Sequence, residues 1–319
     1  MTTNLRLVYR ESSPAGISPY RIVDHQGNGI RWINDFLDAQ HLRSLSSRSV
    51  RSYGYDLLNF ARWWYQRKSI QLSRLNESRL LDYVRHQLES LPKPTPQTVN
   101  HRLTVVRCLY RFHYGRELPR GRGSVQSIYK TRSPFGYGRP GRVVGGLRMR
   151  QPRRVVVPLA SEEVSQFWSS FRTYRDLSLT ALMLFNGLRS REVIELRMEE
   201  LRLFEGQFQV RGKGNKERVL PLSDDTIQTL ERYLEIERPH VDSPYVFLCL
   251  KGPQRGRPIT PAGLRSLFRH HRRLARVPLA NPHRFRHTFG TTMARSGVSL
   301  PALMHLMGHS HIHTTMLYV

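Results

Sequence analysis

Residues 118 to 161 contain no Asp or Glu, while Arg recurs through RGRGS, GYGRPGR and RMRQPRR among repeated Gly and Pro. A stretch this charged and this poor in apolar side chains cannot bury enough surface to offset the entropy of ordering it. A chain of 319 residues must therefore build its cores on either side of the stretch, so two domains are expected. The segment 118–154 reads as a basic linker that orders along a polyanion, with a solvated tether as the alternative. The bias is general: 51 Lys and Arg against 24 Asp and Glu give a formal net charge of +27. This is more than solubility requires and points to nucleic acid as the partner. Only six of the 51 basic residues are Lys, leaving 45 Arg, which suits bidentate contacts to phosphates and base edges. A GC-rich genome would also favour Arg, so the total charge is the stronger argument. Cys108 and Cys249 lie far apart with no metal-type spacing and read as buried thiols in a reducing compartment. No apolar run approaches the length of a membrane span, and MTTNLRLVYR lacks a signal-peptide core. A cytoplasmic, nucleoid-associated protein is expected.

Residues 1–26 are a polar arm rich in Ser, Pro and Gly, with no usable periodicity. Across 27–117 the pattern is helical: Ile30, Ile33, Phe36 and Leu37 share one face, and Val50, Tyr53, Leu57, Phe60 and Trp64 another. Ser46 or Ser47 caps a second helix, Asn76 opens a third, and Thr95-Pro96 opens a fourth that runs to Gly115. These four helices predict a small bundle. Residues 155–319 read as mixed helix and strand. The apolar helix DLSLTALMLF ends at Asn186-Gly187, so Arg189 leaves the core at the start of the next helix. QFQVRGKGNKERVLPL alternates on both sides of a Gly-Lys-Gly-Asn turn, a β-hairpin with Lys213 at its tip. Pro282 opens a helix that sets His283 and Arg286 one turn apart and closes at Gly297. A short helix follows from Ser299 to Gly308, then His309, then a final helix carrying Tyr318. The fold class is multidomain and mainly α: a helical bundle plus a mixed α/β domain with a small β-sheet.

Arg189, Lys213, His283, Arg286, His309 and Tyr318 together supply what metal-free cleavage of a phosphodiester needs: cations for the phosphate, acid and base groups, and a phenolic nucleophile. Singly, each has a plainer reading as a surface Arg, a solvated loop Lys or a half-buried Tyr. Three His-x-x-Arg pairs occur, at His113/Arg116, His270/Arg273 and His283/Arg286, and only the last falls within the series. The alternation His309, His311, His313 admits a metal site, but Gly and Ser flank His309 and no carboxylate or thiol cluster lies nearby in sequence. Glu192, one turn beyond Arg189, reads as a residue that orients this Arg or satisfies a buried donor, not as a catalytic carboxylate.

In order and spacing the motifs resemble the catalytic domain of the tyrosine recombinases, the family of phage integrases, Xer-type resolvases and their transposon-borne relatives. GLR with Glu192 resembles the first arginine box, GKGNKER the β-hairpin lysine, and PHRFRHTF the His-x-x-Arg box. LMGHS resembles the second histidine and TTMLYV the nucleophile segment, so the likeness spans roughly residues 155 to 319. The N-terminal bundle resembles, more loosely, the core-binding domain of these enzymes.

The resemblance implies a site-specific DNA recombinase or integrase that cleaves and rejoins strands through a 3′-phosphotyrosine, with neither cofactor, metal nor ATP. Tyr318 would be the nucleophile and His283 its base. Arg189 and Arg286 would clamp the phosphate, His309 would donate a further hydrogen bond, and Lys213 would be the general acid. The partners implied are double-stranded DNA carrying specific sites and a homotetramer on two such sites. Arg48, Arg51 and Arg102 are candidate DNA contacts in the bundle. Family members usually continue past the nucleophile into a segment that packs on a neighbouring protomer, whereas this chain stops at Val319. Poor anchoring of Tyr318 is therefore expected. A type IB topoisomerase shares these residues but would act without site preference, and a non-catalytic DNA-binding factor would lack one of them. A metal-dependent transposase would show an acidic ligand cluster.

Overall fold

The computed structural model describes residues 4–66, 71–119, 127–131, 141–151, 157–212 and 217–318, with backbone alone for 127–131 and 141–145. It divides into two compact units, Met1–Arg153 and Arg154–Val319.

The first unit opens with an antiparallel hairpin, β1 (Arg6–Tyr9) against β2 (Tyr20–Val23), in the register Arg6↔Val23 to Tyr9↔Tyr20. Helices α1 (Arg31–Leu42), α2 (Ser47–Tyr65), α3 (Glu77–Glu89) and α4 (Pro96–Tyr114) follow. The expected caps are in place: Ser46, Asn76 and Thr95 each accept the backbone N–H three residues on. The described part of the expected arm 1–26, residues 4–26, is not separate from the bundle. Leu5 and Ile22 are fully buried among Ile33, Phe36, Leu37, Leu57 and Leu109. Asn34 of α1 fixes the hairpin from inside the core, its Oδ1 accepting Ile22 N–H at 2.8 Å and its Nδ2 donating to Ile22 O at 3.0 Å. Every polar atom that this buried amide brings into the core is thereby paired.

The linker expectation also needs correction. Within 118–154, β3 (Ser127–Thr131) pairs antiparallel with β4 (Gly141–Gly145). The residues that follow dock on the bundle. Leu147 and Met149 pack on its core, and Asn100 exchanges both amide hydrogen bonds with the Met149 backbone, at 2.8 and 2.9 Å. Arg107 donates to Leu147 O, and Leu147 N–H donates to Glu77, which itself pairs with Arg107. Backbone pairing supplies here the stabilisation that apolar burial alone does not.

The second unit begins with α5 (Ser161–Trp168), α6 (Tyr174–Leu184) and α7 (Ser190–Ile194), then a three-stranded antiparallel sheet of β5 (Leu201–Arg202), β6 (Gln207–Arg211) and β7 (Glu217–Pro221) in that order. Helices α8 (Asp224–Arg232), α9 (Pro261–Leu274), α10 (Pro282–Arg295), α11 (Leu300–Met307) and α12 (Ile312–Thr315) complete it. Proline in the first turn of α9, α10 and α11 costs no hydrogen bond, because that N–H has no helical partner. The core is built on buried α6, whose Leu179, Leu182 and Met183 meet Val193, Phe208, Phe247, Phe268 and Phe285. Strands β6 and β7 direct Phe208, Val210 and Leu220 inward by alternation, and the same register turns Arg218, opposite Val210, toward the interior. Tyr318 does not lie on a final helix: α12 ends at Thr315 and Tyr318 follows it in a turn, its N–H bonded to Thr315 O at 3.0 Å.

Candidate active site

Three arginines converge in the second unit on one carboxylate, Glu192 in the first turn of α7, whose side chain is 5% exposed. Arg189, the N-cap of that helix, donates its backbone N–H at 2.9 Å and its Nη1 at 2.7 Å to Glu192. Arg218 from β7 donates through Nη1 at 3.2 Å and Nη2 at 2.9 Å, and Arg286 Nη1 of α10 stands 3.8 Å away. Burial pushes the Glu192 carboxyl upward, but the Arg218 hydrogen bond and charge, with those of Arg189, outweigh it and hold the carboxyl below its usual range. Glu192 is thus an anionic hub that orients Arg189, as its place one turn on implied, and also anchors Arg218. Arg218 is absent from the sequence-derived series. Its signal was a charged residue in the apolar register of β7.

The turn after α11 supplies carbonyls to the same guanidinium groups. Arg189 Nη2 donates to Gly308 O at 2.9 Å, Arg218 Nε to Leu306 O at 3.1 Å, and Arg286 to Met307 O and Gly187 O. Gly308 has φ of 60°, and a Cβ there would come within 2.7 Å of Arg218 Nη1, so both its backbone conformation and the arginine approach require glycine. Arg286 Nη2 also meets His309 Nε2 at 2.9 Å, while His309 Nδ1 meets Thr315 Oγ1 at 2.9 Å. Since guanidinium only donates, His309 Nε2 is the acceptor and the ring is neutral. Burial, then the charges of Arg286, Arg189 and Arg218, depress its pKa to about 4. Burial, with Arg189 adding to it, lowers Arg286 to about 10, Glu192 opposing.

Tyr318 is anchored, contrary to the expectation drawn from the chain end. Its ring lies parallel to that of His309 with centroids 6.2 Å apart, and its hydroxyl is 2.9 Å from an imidazole nitrogen, Nδ1 of His287. Burial raises its pKa, and the charges of Arg286 and Arg189 oppose that rise. The expected partner, His283, is exposed, and among the described residues it makes no hydrogen bond to Tyr318. His287, one turn further along α10, was passed over by the sequence analysis. Its only sequence signal was a second His four residues after the first. Lys213 lies outside the described residues. Its neighbours Gly212 and Glu217, with Arg218, His305, Gly308 and His309, line a cleft of ≈ 330 Å³.

In the first unit, Arg48 and Arg51 are exposed, and Arg51 sits over the ring of Tyr55 at 5.6 Å. Arg102 is held within its own unit: its side chain, 21% exposed, donates to Gln87 Oε1 at 2.9 Å and faces Asp56 at 3.7 Å. Its position on the face of α4 turned to α2 and α3 explains this.

A polar site of this kind, in a mainly helical unit that follows a helical bundle along the chain, defines a protein class that comparison identifies. The phage integrase family profile matches residues 158–319, and the phage integrase N-terminal SAM-like domain profile matches residues 33–117. The chain belongs to the phage integrase family. Over 146 residues it is 34% identical to the tyrosine recombinase XerD of Staphylococcus saprophyticus, a stretch covering 46% of this chain and 50% of that protein. The chain thus spans about half the length of the staphylococcal relatives it matches. With the tyrosine recombinase XerC of Chlorobaculum parvum it shares 26% identity over 317 residues, covering 92% of this chain and 91% of the relative. Among solved structures, XerH site-specific recombinase bound to a palindromic difH substrate is similar at a TM-score of 0.64 and 19% identity, covering 88% of this chain and 78% of that one. An integrase of transposon Tn1549 in complex with circular intermediate DNA is similar at a TM-score of 0.65 and 18% identity, covering 90% and 93%. At these identities the likeness is one of fold. Among the described residues no helix is long and apolar enough to cross a membrane.

Proposed function

We propose that the chain is a site-specific DNA recombinase that cleaves and rejoins strands through a phosphotyrosine at Tyr318. The observation that carries this reading is the convergence of Arg189, Arg286 and His309 on one backbone turn, with the Tyr318 ring stacked beside His309 at 6.2 Å. Three arginines against one carboxylate leave two positive charges, the complement of a phosphodiester whose transition state approaches two negative charges. Tyr318 Oη attacks phosphorus while an imidazole of α10 takes the phenolic proton, and the 5′ oxygen leaves with a proton from Lys213, the acid implied by the family likeness. The energy of the broken ester is kept in the phosphotyrosine, so rejoining needs no ATP. Arg189 and Arg286 hold the non-bridging oxygens. When the phosphate arrives, its charge offsets the cations that keep His309 neutral; His309 then takes a proton and turns from acceptor to donor.

This switch of role is open to measurement. By NMR, one imidazole should stay neutral from neutral pH down to about pH 4 in the free protein, in line with the pKa near 4. Its titration should move upward when orthovanadate, a phosphate analogue that turns five-coordinate when two further oxygens flank it, is added. An unchanged midpoint would mean that His309 is not a phosphate donor.

The deciding experiment for the function incubates the protein in EDTA with fragmented DNA from around its own gene, then denatures it and sequences whatever stays attached. Adducts at one discrete site, mapped to Tyr318 by peptide analysis, are the expected result. Adducts without site preference would indicate a topoisomerase-like enzyme, and tight binding with no adduct a DNA-binding factor. Assembly as a homotetramer on two sites belongs to the same proposal, as does location in the cytoplasm with the nucleoid; size-exclusion of the protein on paired sites tests the first. With a net charge of +27, affinity should fall steeply with salt, by about 10³-fold or more between 50 and 200 mM if roughly six or more phosphates are neutralised. A flat salt response in a filter-binding titration would contradict a phosphate-tracking interface.

A further inference from the structure

We propose that His287 is the base that takes the proton of Tyr318, and that α10 is shaped to hold the nucleophile against it. This rests on the reading of Tyr318 as the nucleophile. Two independent observations carry it. The first is the 2.9 Å contact between His287 Nδ1 and the Tyr318 hydroxyl, with ring centroids 5.5 Å apart. The second is a notch one turn further along the same helix: a Cβ on Gly290 would stand 2.7 Å from Tyr318 Cε1 and 2.8 Å from Cδ1, so the tyrosine ring lies directly on the helix backbone. Gly290 is in the middle of α10, where glycine weakens a helix, and close seating of the ring is what its missing side chain permits. Met307 Sδ closes the notch at 3.0 Å from the same point. Hydroxyl and ring are thus located by positions three apart on one face of one helix.

His287 is also in the right protonation state. Burial, then the charges of His283, Arg286 and Arg284, lower its pKa below the usual imidazole value. Those three groups of α10 and the Tyr318 hydroxyl are the ionisable groups set against it among the described residues. A neutral imidazole beside a phenol accepts at Nδ1 when Nε2 carries the ring proton, the tautomer required to remove a proton from Tyr318. In the step itself the Oη–P bond forms and the P–O5′ bond breaks. The phenolic proton passes to His287 Nδ1 and returns on religation.

The test is His287→Asn in the full chain. The amide oxygen of Asn stands near the place of Nδ1, so it can still accept the Tyr318 hydrogen bond but cannot take the proton. With DNA binding retained, adduct formation by H287N should fall about a hundredfold or more at pH 7. It should then recover as the pH rises toward the phenol's own ionisation. If H287N cleaves at the parental rate, or if its loss does not recover at high pH, His287 is not the base. A parent protein that forms no adduct at all overturns the functional reading instead. Because H287N can disturb folding, a second measurement uses Tyr318→Phe, which removes only the hydroxyl. The His287 imidazole signals should shift in that variant, and unmoved signals would exclude the contact.

Discussion

Arg286→Lys will slow formation of the covalent adduct by about 10²- to 10³-fold at saturating DNA, the cost of losing one preorganised donor to a developing oxyanion. The charge is conserved, so the loss reports geometry. Arg286 is 6% exposed, and its planar head spans Gly187 O on one side and Met307 O with His309 Nε2 on the other. An ammonium is a point donor on a flexible stem and cannot bridge these groups at once. The His309 ring then loses the partner that fixes its orientation, so two of the proposed phosphate ligands are displaced by one substitution. At least one buried carbonyl loses its donor as well, which should lower stability by about 1–3 kcal/mol. Comparing adduct rates at matched occupancy with chemical melts separates the two effects. A variant that melts normally and still cleaves at the parental rate would show that the bridging geometry is dispensable.

What was legible in the sequence was local. Ser46, Asn76 and Thr95 cap their helices because a cap is decided within three residues of chain, and the β6–β7 hairpin was visible in two short alternating runs. The order of the boxes likewise gave Arg189, Arg286, His309 and Tyr318 in one unit. What was hidden depends on contacts between distant residues. The N-terminal hairpin has strands of four residues and is stabilised by Asn34, twelve residues beyond Ile22, so no window along the chain reveals it. His287 gains its meaning from Tyr318, 31 residues later. Arg218 stands as a charge in the apolar phase of β7, and only Glu192, 26 residues earlier, explains how that charge is buried. Arg102 likewise has partners that the sequence did not reveal, Gln87 on α3 and Asp56 on α2.

Glu192→Ala should produce the largest loss of stability of any single substitution at the site, about 3–5 kcal/mol, the usual effect of leaving buried charge unpaired. That is a large share of the total for a domain whose net stability is about 5–15 kcal/mol. Arg218 is as buried as Glu192, at 5% side-chain exposure for each. Among the described residues it then keeps one bond, to Leu306 O, once the carboxylate is gone. Arg189 loses both of the contacts that Glu192 makes with it. The urea midpoint should therefore drop with the slope unchanged. Acidity supplies a second signature. The folded-state pKa of Glu192 lies below its ordinary 4.5, so its contribution is complete above about pH 4.5 and is lost as pH falls through the depressed value. His309, at about 4 against an ordinary 6.5, makes the unfolded chain bind more protons between those values, so the parent protein loses stability from about pH 6.5 downward. The gap between parent and E192A should accordingly be widest near neutrality and narrow below about pH 4.5. A gap that does not change with pH would mean that Glu192 is not the ionised hub of the three arginines. Their arrangement would then have to come from the backbone turn at Gly308 alone.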